Sequence, residues 1–305
     1  MSQTFDKNTL LADRAQQQTE TTDGLKIIRS SGRPHKTLEL DLGTVTDFLV
    51  TFLRDEVTRR KGFDRVVVAL SGGLDSAVST YLAARAFGPD HVHALRLPYR
   101  TSNPESLEHA QLIIDDLGLP SETIDISGAV DGYAEKVESM SPHRRGNLMS
   151  RVRMMIGFDK SEQYGALPLG TGNKTERLFG YYTWHGDDSP PVNPLGDLFK
   201  TQVKALAAHL GVPDVIVGKP PSADLIPGQS DESDLGISYE RADTILIHHL
   251  AGYEDDYICT LGFSQDEVTL VKRKVARTHY KRETPITAMM SGTAINEFYL
   301  RPVDY

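Results

Sequence analysis

The sequence predicts an α/β protein: a doubly wound, mostly parallel sheet flanked by helices. Val66 to Leu70 is a short continuous apolar run, as expected of a strand buried on both faces. Directly after it, Ser71-Gly72-Gly73-Leu74-Asp75-Ser76 leads into a stretch of strong helix formers, which reads as strand, tight loop, helix. Apolar strand-like and helix-like segments then alternate, the pattern of a parallel sheet whose ligands sit outside the carboxyl ends of its strands.

Each element has a local reason. Residues 1–38 are rich in Gln, Thr, Ser and Asp with little periodicity, so they are expected to form a mobile or loosely docked arm before a single domain of residues 39–305. Phe48, Leu49, Phe52, Leu53 and Val57 fall on one stripe of an amphipathic helix. The first strand follows at 66–70, and Ala77, Tyr81, Ala84 and Arg85 keep helical spacing through a helix at 76–87. A strand near 92–97 comes next, then a helix at 104–117 and a strand near 122–126. Asn103-Pro104 and Gly118 supply cap, first turn and stop for that helix. Pro168, in GALPLGT, cannot donate to a ladder, so the strand there is expected to be irregular or to pair on one side only.

Composition narrows the function classes. The 305 residues carry a net charge of −9, which opposes binding of a polyanion, and the basic clusters Arg59-Arg60-Lys61 and Lys272-Arg273-Lys274 are short and lie in plausible helices. No nucleic-acid partner is expected. No run approaches the roughly 18 apolar residues of a membrane span, and the polar start MSQTFDKNTL is no signal peptide. A cytoplasmic protein without membrane contact is the expectation. The single cysteine, Cys259, excludes an internal disulfide and a thiolate metal cluster, and reads as a small packed apolar residue.

The glycine loop carries the first chemical signal. Gly72 and Gly73 allow a close ligand approach, and the free N–H groups of the helix start make an anion site. A carboxylate beside bound phosphate repels it unless a cation lies between them, so Asp75 reads as a magnesium ligand. The alternative is an ordinary α/β turn with Asp or Ser as a helix cap. The string Ser71 to Ser76 resembles the loop of the ATP pyrophosphatase (PP-loop) superfamily, which implies cleavage of ATP between its α and β phosphates on an adenine nucleotide α-hydrolase-like fold.

Five further stretches stand out: RRGNLMSRVRMM, LGTGNKTE, GYYTWHGDD, NPLGDLFKTQVKALA and KPPSADLIPGQSDESDLGISYE. In this order and spacing they resemble the NAD synthetase family over roughly residues 45–285. That resemblance implies ATP-dependent amidation of nicotinic acid adenine dinucleotide (deamido-NAD) through an acyl adenylate, with ammonia as nitrogen donor and AMP and pyrophosphate as products. It assigns ATP to Ala69, Leu70, Ser71, Gly72, Gly73, Leu74, Asp75, Ser76, Arg96, Thr171, Lys200 and Ser222. Asp75 and Glu176 would hold Mg2+, with Asp75 and Lys200 as the catalytic pair, and Arg151, Trp184, Tyr280 and Lys281 would meet deamido-NAD. The residues support parts of this independently. Lys200 opens a helix striped by Val203, Leu206 and Leu210, where a cation opposes the helix dipole, so it is expected to serve an anion. Arg151 and Arg153 lie two apart and face different directions, which leaves Arg153 a structural role. Glu176 as a plain first-turn charge is the alternative to a metal ligand.

Where many members of the family have histidine this chain has Tyr280, and two positions depart further. Many bacterial members have lysine where this chain has Trp184, and an acidic residue where it has Pro191. Recognition of the acid end would then use Trp184 as a stacking surface with His185, Asp187 or Asp188 as polar partners. A related PP-loop amide ligase acting on another small or nucleotide carboxylate is the alternative. At 305 residues no fused glutamine-hydrolysing domain is expected, so ammonia would be free or come from a separate glutaminase. The segment Ser222 to Tyr239 is expected to be a mobile lid over ATP. The resemblance also implies a homodimer, for which Phe48, Leu49, Phe52, Leu53, Met149, Met154, Met155 and Ile156 offer apolar surface near Arg151.

Overall fold

In the computed structural model the described residues are 36–221, 231–283, 286–288 and 290. Residues 1–35 of the expected arm lie outside them, as does Ser222. The chain from Lys36 onward forms one compact unit.

Helix α1 (Leu42–Leu53) starts at Asp41, whose carboxylate accepts from the Thr44 N–H at 2.8 Å, and widens to π-type turns over Arg54–Arg60. Four parallel strands follow, β1 (Val66–Ala69), β2 (Val92–Arg96), β3 (Ser121–Thr123) and β4 (Leu167–Pro168), in the spatial order β3-β2-β1-β4. Between them run α2 (Leu74–Phe87), α3 (Pro104–Leu117), α4 (Ser127–Ala134) and α5 (Pro142–Tyr164). Strand alternation splits the burial: Val66 and Val68 join a core with Leu53, Leu82 and Ile113, while Val67 joins a second layer with Leu95, Ile126, Met149 and Val152. The sheet is therefore covered on both faces, as the sequence predicts.

Pro168 behaves as its chemistry requires. The N–H groups of Leu167 and Leu169 donate to the Arg65 and Val67 carbonyls, so the proline nitrogen falls on the side away from β1. Among the described residues that far side carries a single bridge, Leu169 to Val192. Strand order reverses between β1 and β4, and a crevice opens at their carboxyl ends.

The described residues after β4 hold the helices α6 (Lys174–Phe179), α7 (Lys200–Leu210), α8 (Asp214–Val217), α9 (Asp231–Leu235), α10 (Tyr239–Leu250), α11 (Asp255–Thr260) and α12 (Gln265–Arg277), then a 3-10 turn at His279–Arg282. Phe179, Phe199, Leu235, Tyr239, Ile245 and Val268 build a separate core, with Cys259 packed at its edge. The entering segment is tied to it: the Lys36 N–H donates to His248 Nε2 at 3.2 Å, and Gln202 donates to the Leu38 carbonyl at 3.0 Å.

One expectation needs correction. Leu49, Leu53 and Met149 are buried within this chain's own core, because both helices cover the sheet, so they offer no docking surface. Phe48 and Met155 stay exposed, at 66% and 55%. Of the expected lid, residues 222–230 lie outside the described residues; the remainder holds α9 (Asp231–Leu235) and the start of α10, with Asp231, Leu235 and Tyr239 buried. The basic clusters form ion pairs at short range, Arg59 and Arg60 with Asp55, Lys61 with Glu56, Lys272 with Asp255.

Candidate active site

The site is assembled where β1 and β4 end. After β1 the loop Ser71-Gly72-Gly73 turns into α2, whose N-terminus has no side-chain cap. Its shape is held from within: the Ser71 and Ser76 hydroxyls lie 3.0 Å apart, Ser76 Oγ donates to the Gly73 carbonyl at 3.0 Å, and the Gly73 N–H donates to Ser71 Oγ at 3.2 Å. From outside, α3 braces it. Gly72 has φ +75°, and a Cβ there would stand 2.0 Å from the Ser106 carbonyl oxygen. The uncapped helix start and this preformed loop fit an anionic ligand. Ala69 and Leu70 lead into the loop, and Leu74 opens α2.

Asp75, in the first turn of α2, meets the second strand end directly. Its Oδ1 accepts from Asn173 Nδ2 at 3.0 Å and its Oδ2 accepts from Lys200 Nζ. Asn173 also caps α6: its Oδ1 accepts from the Glu176 N–H at 3.0 Å while Glu176 Oε2 accepts from the Asn173 N–H at 3.3 Å. Glu176 Oε1 accepts from Lys200 Nζ at 3.2 Å. One ammonium thus bridges the two carboxylates assigned to magnesium. Both readings of Glu176 hold together, since one oxygen serves the cap and the other faces the cation.

Burial and mutual charge set the electrostatics of this centre. Burial pushes the Glu176 carboxyl up to about 8, against the pull of Lys200, with Asp75 adding to the rise. Burial pulls the Lys200 ammonium down, but the Asp75 and Glu176 carboxylates outweigh it and leave it above the ordinary lysine range. Asp231 lies in the same field; it is buried, accepts from the Tyr181 and Tyr239 hydroxyls at 3.1 and 3.0 Å, and is raised by desolvation. Three carboxylates, Asp75, Glu176 and Asp231, thus surround one ammonium, and their hard oxygen donors are of the type that would hold Mg2+. Among the described residues there is no group of three or more side chains able to hold a metal by themselves. Two carboxylates completed by phosphate oxygens are the usual magnesium arrangement.

The other assigned residues divide into two sets. Arg96 ends β2 and donates to Gln111, with its Nε buried and without a partner among the described residues. Thr171 lies in the loop after β4, between Gly170 and Gly172, which line a crevice with Glu176, Tyr182, Asp187, Asp188 and Asn193. Asp187 and Asp188 therefore join the Glu176 end of the crevice to the 180–188 loop. Burial raises Asp187, whose Oδ1 accepts from the Thr183 N–H and from Ser150 Oγ, both at 2.9 Å. Arg153 donates to the Leu97 carbonyl, the structural role expected of it.

At the far end of that loop, Arg151 donates twice to the Trp184 carbonyl, at 3.1 and 3.3 Å. The Trp184 ring stacks on His185 at 4.5 Å and meets Tyr280 edge-on at 5.7 Å. His185 takes φ +55°, which folds the two rings together. Trp184 and Tyr280 are 38% and 54% exposed, so an aromatic surface does stand where the family often has lysine. Lys281, assigned to deamido-NAD, lies beside the same loop. Its ammonium donates to the Gly180 and Tyr182 carbonyls at 2.7 and 2.8 Å and is lowered by burial, so it braces the loop. Asn173 is absent from the sequence-based assignments. Its signal is present in the sequence, an Asn three residues before a Glu at a helix start.

The family model described as NAD synthase matches residues 45–285. The chain belongs to the NAD synthase family. It is 49% identical over 256 residues to an NH(3)-dependent NAD(+) synthetase of Chlorobaculum parvum, covering 84% of this chain and 92% of that one. Among solved structures it is similar to an NMN synthetase from Francisella tularensis, at 30% identity and a TM-score of 0.73, covering 82% of this chain and 99% of that one. An NH3-dependent NAD synthetase from Campylobacter jejuni matches at 28% identity and a TM-score of 0.71, covering 82% and 100%. As a NAD synthase family member the chain is an ATP-using ligase on the PP-loop α/β fold.

Proposed function

We propose that the protein is an ammonia-dependent NAD synthase, which amidates deamido-NAD with ATP and releases AMP and pyrophosphate. The observation that carries this is the Asp75–Lys200–Glu176 bridge across the ends of β1 and β4, beside a braced glycine loop. A carboxylate is a poor acyl donor because its leaving group would be oxide. The substrate carboxylate oxygen attacks the α-phosphorus of ATP, the bond to the bridging oxygen breaks, and pyrophosphate leaves with the electron pair. The α2 N–H groups and Lys200 stabilise the charge that develops on pyrophosphate. Asp75 and Glu176 would hold Mg2+, which supplies further positive charge to the phosphates. Ammonia then attacks the acyl carbon, loses a proton, and AMP departs. Positioning and electrostatics supply the rate.

Deamido-NAD is proposed to run from the crevice past Asp187 and Asp188 to Arg151, Trp184 and Tyr280. The alternative is a different nucleotide carboxylate, since the similar Francisella protein is titled an NMN synthetase, but the relative at 49% identity is an NH(3)-dependent NAD(+) synthetase, which favours deamido-NAD. Mass spectrometry separates them: ATP, Mg2+ and ammonium are supplied with deamido-NAD or with the acid form of NMN. NAD formed from deamido-NAD, with pyrophosphate release dependent on it, supports the first reading; preferential amidation of the mononucleotide replaces it.

The proposed setting is cytoplasmic, with ammonia free or passed from a separate glutaminase. None of the described helices is long and apolar enough to cross a membrane. A homodimer is proposed through α5, where Met155 and Phe158, 55% and 40% exposed, follow Arg151 at helical spacing.

A further inference from the structure

We propose that Asp243 is a positioning residue for the reaction, holding the helix starts that carry Lys200 and Glu176. Its carboxylate is fully buried in α10. Asp243 Oδ1 accepts from Thr175 Oγ1 at 2.6 Å, and Oδ2 accepts from the Thr201 N–H at 2.9 Å and from Thr201 Oγ1 at 2.8 Å. Thr175 Oγ1 in turn accepts from the Lys200 N–H at 3.0 Å. Thr175 precedes Glu176 and Thr201 follows Lys200, so one carboxylate clamps the two functional residues through their chain neighbours.

The need for such a clamp is visible in α7. Its N-cap position is Phe199, which has no capping side chain and is buried in the helical core. The first N–H groups of a helix need partners, and Lys200 adds a cation at the positive end of the dipole. Asp243 answers both from another helix, supplying an acceptor and a negative charge. Because the carboxylate is buried, its effect on the reaction passes through Lys200 and Glu176.

The inference rests on the ATP-ligase reading, and its test reads ATP binding separately from product identity. Asp243→Asn is compared with the wild type in steady-state kinetics and in the rise of melting temperature caused by ATP and Mg2+. Loss of an outer-shell partner typically costs about 10- to 100-fold. The expected result is a drop of that size in kcat/KM for ATP, a smaller ATP-induced rise, and a KM for deamido-NAD within about twofold of the wild type. Thr201→Ser, which keeps both donors, should stay near wild type. A folded Asp243→Asn with a lowered melting temperature but unchanged ATP kinetics and ATP-induced rise would make the carboxylate a stability device alone and overturn the proposal. Equal damage to ATP and deamido-NAD parameters would also overturn it. If Asp243→Asn fails to fold, Thr175→Val carries the test, and wild-type ATP kinetics in it refute the clamp. The ATP-induced rise requires no acid substrate, so it is readable even if the amidated carboxylate proves to be another.

Discussion

Substituting Gly72 by alanine isolates how the glycine loop is braced. Gly72 and Gly62 share φ +75°, but a Cβ at Gly62 meets nothing within 4 Å, whereas at Gly72 it would stand 2.0 Å from the Ser106 carbonyl oxygen and 3.1 Å from the Ala110 nitrogen. Gly62→Ala therefore measures backbone strain alone, about 1–2 kcal/mol for an L residue in the left-handed region. Gly72→Ala adds an overpacking cost of about 1–3 kcal/mol, because the obstacle is helix backbone and cannot rotate away. At about 3 °C per kcal/mol for a domain of this size class, the extra fall in melting temperature is about 3–9 °C. Function should suffer more. Real Cβ contacts do not fall below 3.0 Å, so the loop must move by about 1 Å, and a displacement of that size can cost roughly 100-fold in rate. Differential scanning fluorimetry and pyrophosphate release, run on both variants, read the two effects. If Gly72→Ala behaves like Gly62→Ala in both assays, the packing of the loop on α3 does not matter and the account of the site fails.

Asp75→Asn and Glu176→Gln should each remove most pyrophosphate release while retaining a cooperative melt; near-normal, magnesium-dependent turnover in both would remove them from the metal site. Glu267 is held down to about 2 by its bonds to Arg241 and to Ser264. A depressed carboxylate stabilises above its unfolded value, here 4.5, and loses that effect as pH falls through the folded value. The melting-temperature gap between wild type and Glu267→Gln should thus be widest above about pH 5 and close toward pH 2, as fluorimetry across pH will record. Phe158→Glu should shift the proposed dimer to monomer in light scattering; a monomeric, fully active wild type would dispose of the dimer instead.

Much of the fold was legible because it is written in local patterns. The buried run at Val66 to Leu70, the cap, proline and glycine around α3, and Pro168 on a one-sided strand follow from hydrogen bonding and periodicity within a few residues. The glycine loop, Asp75 and Glu176 were readable for the same reason, since phosphate and metal chemistry restrict residue types at short spacing. Whether an apolar stripe faces the sheet or the solvent is different: Leu49 and Met155 look alike in sequence, and only packing separates them. The same holds for long-range polar contacts. Lys200 was expected to face an anion, but its present partners lie 125 and 24 residues away. Lys281 braces the loop through two carbonyls that converge on it from residues about 100 positions distant, contacts that no local pattern announces. Asp243 belongs to no pattern at all, since its partners Thr175 and Thr201 come from two other helices. Local sequence determined which chemistry the strand ends can carry; tertiary packing decided which buried charges hold that chemistry in place, because a buried carboxylate must find its donors wherever the fold brings them.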